Sequence, residues 1–162
     1  MLKAVIPRGT TMKPQHLLLA SLAAVAALAI LVAPETDARD TKSMLPIADA
    51  MNSGSAKARL DGGIKFYFGD SAHPAVAKSF GVFMSNKKTN GFGKKDKEAC
   101  EWAFLSAMLS FQDRAKQEGG DAVINIESYY RENTIKSATE YECGSGGLMS
   151  GVTFRGEVVK LQ

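Results

Sequence analysis

The sequence predicts an α+β domain: a mainly antiparallel sheet of about five strands, one long helix (about 96–118) packed on one face, and a short N-terminal helix. Three observations carry this. A helix-length stretch opens at Asp96 and stops at Gly119-Gly120, where an achiral residue can take the left-handed conformation a C-terminal cap needs. Ala122-Val123-Ile124-Asn125-Ile126 follows at once, β-rich and too apolar for a wet sheet edge. Further stretches at 64–68, 76–84, 139–143 and 148–161 complete the sheet. A helix feeding a strand through two glycines is half of a layered α/β unit.

Taken in order, residues 1–38 have the pattern of a signal peptide. Lys3, Arg8 and Lys13 give a positive start, 17–33 is apolar and uncharged, and Thr36-Asp37-Ala38 offers a cleavage site near Ala38. Met12 is an alternative start, and an uncleaved leader would be a short membrane anchor. No cysteine follows the apolar run, which disfavours a lipoprotein. The expectation is a periplasmic or secreted protein with one domain at 39–162. Of the 20 basic and 17 acidic residues, three and two fall in the leader, so the domain is nearly neutral. That is no nucleic-acid footprint.

Within the domain, 39–43 is polar and expected to fray, and Pro46 suits the first turn of a short helix over 45–51. Ser55 is placed as the cap of a second short turn through Leu60. The strand at 64–68 alternates, and 76–84 carries Phe80, Val82 and Met84 on one face. Residues 85–95 are read as a polar loop with a tight turn at Asn90-Gly91. In the long helix Asp96 is expected as the N-cap, with Glu98 and Glu101 placed where the dipole favours negative charge. Ala99, Cys100, Ala103, Phe104, Ala107, Met108, Phe111 and Ala115 share the core face at helical spacing. Trp102, Leu105 and Leu109 form a narrower stripe opposite. It needs cover, from residues 45–60 or from a partner or second subunit. Residues 129–137 are turn-like, Gly144-Ser145-Gly146-Gly147 breaks the strand before it, and the last strand is expected to bend at Gly151 and Gly156.

Candidate chemistry is sparse. Cys100 and Cys143 can pair in only one way, and an oxidising compartment would preserve the bond. Closing the 42 residues between them is worth roughly 4 kcal/mol on the loop-entropy model; two separately buried thiols are the alternative. No metal or cofactor is expected. His73 is the domain's one histidine, no cysteine pair has zinc spacing, and there is no Gly-x-Ser-x-Gly elbow. Gly91-Phe92-Gly93-Lys94-Lys95 fails as a phosphate loop, with Lys88 where the first glycine should stand and Lys95 in place of the hydroxyl. Lys87, Lys88, Lys94 and Lys95, with Lys97, are a candidate contact for anionic lipid or polymer, or a solvated loop.

The run from Ala99 through Gly119-Gly120-Asp121-Ala122-Val123-Ile124 to Gly156-Glu157-Val158-Val159 resembles the RcsF/YbjQ-type superfamily of small α+β domains, over about 96–161. The resemblance implies an envelope-facing role, with Cys100 and Cys143 where one RcsF-type bridge would lie. It departs in having no lipidation cysteine and no second cysteine pair, and the ring-forming YbjQ branch's heavy-metal label meets too few ligands here. Phe66-Tyr67-Phe68-Gly69-Asp70, Asn86-Lys87-Lys88-Thr89-Asn90 and Glu140-Tyr141-Glu142-Cys143 are similar to runs in short exported proteobacterial proteins often called "excinuclease ATPase subunit". No nucleotide-binding motif supports that activity.

The functional expectation is therefore a non-enzymatic binding or envelope-interaction protein, with catalytic residues none and its partner an envelope protein or another copy. The alternative is an enzyme acting on an envelope small molecule near Tyr129, Tyr130 and Arg131. That reading requires at least two perturbed ionisable groups in one concave site.

Overall fold

The computed structural model describes residues 39–162; the expected leader and cleavage site lie outside them. Strand β1 (Asp40–Pro46) leads into two short helices, α1 (Ile47–Asn52) and α2 (Gly54–Arg59). Then come β2 (Lys65–Phe68), the long β3 (Val76–Asn90) and the long helix α3 (Asp96–Glu118). The chain closes with β4 (Ala122–Ser128), a 3₁₀ turn (Tyr130–Glu132), β5 (Glu140–Gly146) and β6 (Met149–Leu161). This is the expected α+β class, with six strands rather than about five.

Strand β6 organises the sheet. Along one edge it pairs antiparallel with β3 from end to end. Its other edge is shared: Ser150–Gly151 face Ser145–Gly144 of β5, and beyond them β4 takes over. The outer strands are β3; β1, antiparallel to β5; and β2, parallel to β4. Between β4 and β5 the tail of β4 wedges the sheet open. There the Glu142 amide donates to Ser128 Oγ at 2.9 Å and the Tyr129 amide donates to the Thr153 carbonyl at 2.7 Å.

Helix α3 lies across one sheet face. Ala99, Ala103, Ala107 and Ala115 have no exposed surface, and Phe104, Met108 and Phe111 fill the space beside them. The Phe104 ring sits 4.7 Å from Tyr141, 5.5 Å from Phe154 and 5.9 Å from Phe68, centre to centre, in the tilted and offset geometries that aromatic quadrupoles favour. Cys100 and Cys143 are joined, with their Cα atoms 6.0 Å apart. The bond ties the first turn of α3 to β5. At the other end Gly119 takes φ 80°, and the Gly120 amide donates to the Ala115 carbonyl at 2.8 Å. A Cβ on Gly120 would stand 2.7 Å from the Val159 carbonyl, so only glycine lets the helix end this close to β6. Burial pushes the Tyr141 hydroxyl's pKa well up, and that oxygen has no hydrogen-bond partner among the described residues.

Several local expectations need correction. The polar 40–43 segment is a strand, because the open edge of β5 supplies its hydrogen bonds whatever its own propensity. Residues 85–90 continue β3 for the same reason, paired one to one with β6 back to Met149. Strand β5 runs on through Gly144 to Gly146. The N-cap of α3 is Lys95, without a side-chain bond. Asp96 is already helical and pairs with Arg39, although it and Glu98 still meet the helix dipole. The cap of α2 is Ser53 rather than Ser55; its Oγ accepts the Ala56 amide at 3.2 Å.

Reduction, or Cys143→Ser, should cost about 4 kcal/mol for a closed loop of this length. For a domain of this size that lowers the melting temperature by about 15 °C. Thermal melts with and without dithiothreitol check it; identical curves would show that the bond contributes nothing.

A candidate binding groove on the open sheet face

Because side chains alternate along a strand, β6 sends Val152, Phe154 and Val158 towards α3 and Gly151, Thr153, Arg155 and Glu157 the other way. Among the described residues no helix covers that second face. Its floor at one end is glycine: Gly144 and Gly146 of β5 beside Gly151 of β6. The 3₁₀ turn folds over it, with the Tyr130 ring where a Cβ on residue 144 would stand. What is left is a groove of about 410 Å³ whose polar walls include Arg39, Asp40, Asn86, Lys88 and Arg131.

The turn is held in an uncommon backbone conformation. Arg131 (φ 52°) and Glu132 (φ 63°) are successive non-glycine residues in the left-handed region, each costing on the order of 1–3 kcal/mol. Neighbouring contacts offset this. Arg131 pairs with Asp40 at 2.7 Å, and its guanidinium lies 5.6 Å from the Tyr130 ring, with Lys42 Nζ at 5.8 Å. Arg155 lies 4.5 Å from the Tyr129 ring and donates through Nε to Glu127 at 2.8 Å. Nearby, Glu142 is almost wholly buried. Lys42 stands 3.8 Å from one of its oxygens, and the other, Oε2, has no hydrogen-bond partner among the described residues.

The lysines predicted as an anion contact are divided by the strand. Lys88 faces the groove opposite Gly151, while Lys87, opposite Val152, points to the helix side. Lys94 donates to the Asn90 carbonyl at 2.9 Å, Lys95 caps α3, and Lys97 is paired with Asp49 at 2.7 Å, which raises its pKa. Among the described residues, none of Lys87, Lys88, Lys94 and Lys95 is in an ion pair. The groove itself draws on Arg39, Tyr130 and Gly144, which sequence reasoning never brought together; the glycine cluster beside a Tyr-Tyr-Arg run was the available cue.

The helical stripe has a different fate. Leu105 is 1% exposed, Trp102 37%, and Leu109 is half-buried. Leu105 is covered from within the chain, while Trp102 stays exposed. Leu105 and Trp102 border Ser53 and Ser55, Arg59 lies 5.7 Å from the Trp102 ring, and the Asp61 amide donates to Gln112 Oε1 at 3.1 Å.

His73 stands in an exposed loop with Nδ1 2.8 Å from the Pro74 carbonyl. Among the described residues no three His, Cys, Asp or Glu side chains are grouped to hold a metal ion. Comparison of the chain with family models, with curated proteins and with solved structures finds no match to any of them.

Leu105→Ser should destabilise the fold by about 2–5 kcal/mol, as deletion of a buried leucine does, and Leu109→Ser by clearly less. Urea unfolding of the two variants checks the order. Equal and small losses would mean that Leu105 is not packed as described.

Proposed function

We propose that this chain is an exported, non-enzymatic binding protein of the cell envelope, whose open sheet face takes an anionic envelope component. The observation that carries this is the glycine-floored groove, with the unpaired Lys88 on one wall and Arg131 held in a strained turn on the other. Lys88, exposed and in no ion pair among the described residues, and Arg131, which shares its charge with Asp40, stand near an aromatic ring and suit a phosphate or carboxylate better than a neutral ligand. The Cys100–Cys143 bond supports a compartment outside the reducing cytosol, because such bonds seldom persist within it. The likeness of 96–161 to the RcsF/YbjQ superfamily points to the same place. Among the described residues no helix is long and apolar enough to cross a membrane, so attachment through the protein would fall to the leader if it is retained.

The enzyme reading has less support. Apart from Tyr141, buried in the core, the ionisable groups shifted by the fold stand in separate ion pairs outside this groove. Lys116 and the Gly63 amide lower Asp61, Leu161 and Lys160 lower Asp121, and Asp70 raises Lys136. General acid–base work would need such groups to converge on one reacting atom.

Co-sedimentation with vesicles rich in phosphatidylglycerol, against pure phosphatidylcholine, tests the binding reading. The anionic vesicles should retain the protein. Lys88→Glu with Arg131→Glu should cut retention by about tenfold or more, each basic residue near such a surface being worth about 1 kcal/mol. Equal retention on both vesicles, or none on either, would remove the lipid form of the proposal. A soluble polyphosphate in the same assay separates polymer from lipid.

A further inference from the structure

Strand β3 is fifteen residues long and bonds only to β6; its outer edge has no strand partner among the described residues. Proteins usually blunt such edges with short strands, bulges, proline or a covering element. Here the irregularities are confined to the first third, at Val76/Lys78 and Ser79/Gly81. From Gly81 to Asn90 the register with β6 is unbroken, and the strand contains no proline.

The exposed middle of this edge is apolar on the open face and bordered by a mostly polar cleft on the helix side. Val82 and Met84 are each 62% exposed. On the helix side, Phe83 with Ser110, Phe111 and Arg114 lines a cleft of about 280 Å³ running between the strand and α3. A strand added here would rest alternate side chains on Val82 and Met84 and send the others into the cleft.

Charge selects the occupant. Strand β3 carries Lys78, Lys87 and Lys88 and no carboxylate. At the cleft Arg114 lies 4.9 Å from the Phe83 ring and pairs with Glu118 at 3.3 Å, and on the open face Ser79 donates to Glu157 of β6. Asp113 is the one acidic side chain lining the cleft. A second copy of β3 fits badly. Antiparallel pairing centred on Phe83 sets Lys78 against Lys88, and parallel in-register pairing sets each lysine against itself, which is unfavourable directly across a ladder.

We propose that the free edge of β3 is a docking site for an extended acidic peptide segment, which joins the sheet as an additional strand beside Gly81–Asn86. The site does not rest on the groove reading and shares only Asn86 and Lys88 with it.

Fluorescence anisotropy on the oxidised protein tests this with two labelled synthetic peptides, one alternating valine with glutamate and one alternating valine with lysine. The acidic peptide should bind at least about tenfold tighter, and Val82→Glu with Met84→Glu should weaken it about tenfold. In amide hydrogen exchange, bound peptide should slow β3 amides between residues 81 and 86. Lys87→Glu, which faces away from the groove, gives a second variant should the double change disturb folding; it should weaken the acidic peptide and spare the basic one. Equal affinity for the two peptides, protection elsewhere, unchanged binding by the variants, or a dimer in sedimentation that peptide cannot displace would each overturn the proposal.

Discussion

The close seating of α3 on β6 is the constraint from which the other features follow. Four alanines on the inner face bring the helix backbone near the sheet, so Phe104, Met108 and Phe111 fill pockets beside it rather than hold it away. Larger residues at Ala103 or Ala107 would overpack a fully closed layer, at a cost of about 1–3 kcal/mol each. The same closeness puts Cys100 within bonding distance of Cys143 and makes Gly120 obligatory beside Val159. One sheet face is thereby used up, and α1 and α2 close the back of the helix over Leu105.

With one face committed to packing, the two proposed recognition surfaces fall to the open face and the outer edge. There the balance of forces differs. Glycines replace bulky side chains, ion pairs and cation–ring contacts replace apolar contacts, and two adjacent left-handed residues hold the turn above the groove. Such a turn persists only because Tyr130, Asp40 and the amide of Tyr129 fix it from three directions. Binding would be favoured by this pre-set geometry, since little ordering remains to be done when a ligand arrives.

The sequence and the fold agree best where a local signal has no competitor. The end of α3 was legible in Gly119-Gly120, and its inner face in the spacing from Ala99 to Ala115. The stripe announced a need for cover, which the neighbouring short helices meet at Leu105. The ladder partners were not legible. Asp40 to Ser43 shows no strand pattern of its own and becomes one because β5 offers an edge; Asn86 to Asn90 looks like loop and is strand because β6 continues opposite it. The groove was hidden for a related reason. Arg39, Lys88, Tyr130 and Gly144 belong to four separate elements, and only the pairing of β5 with β6 brings them to one place.

The proposed envelope role requires that the domain mature outside the reducing cytosol, where the Cys100–Cys143 bond would persist. Peptide mapping by mass spectrometry of protein recovered from its cells, alkylated without prior reduction, tests that most directly. The expected result is a chain beginning near Arg39, with the peptides carrying Cys100 and Cys143 covalently linked. Two alkylated thiols on a chain that still carries its leader would contradict it.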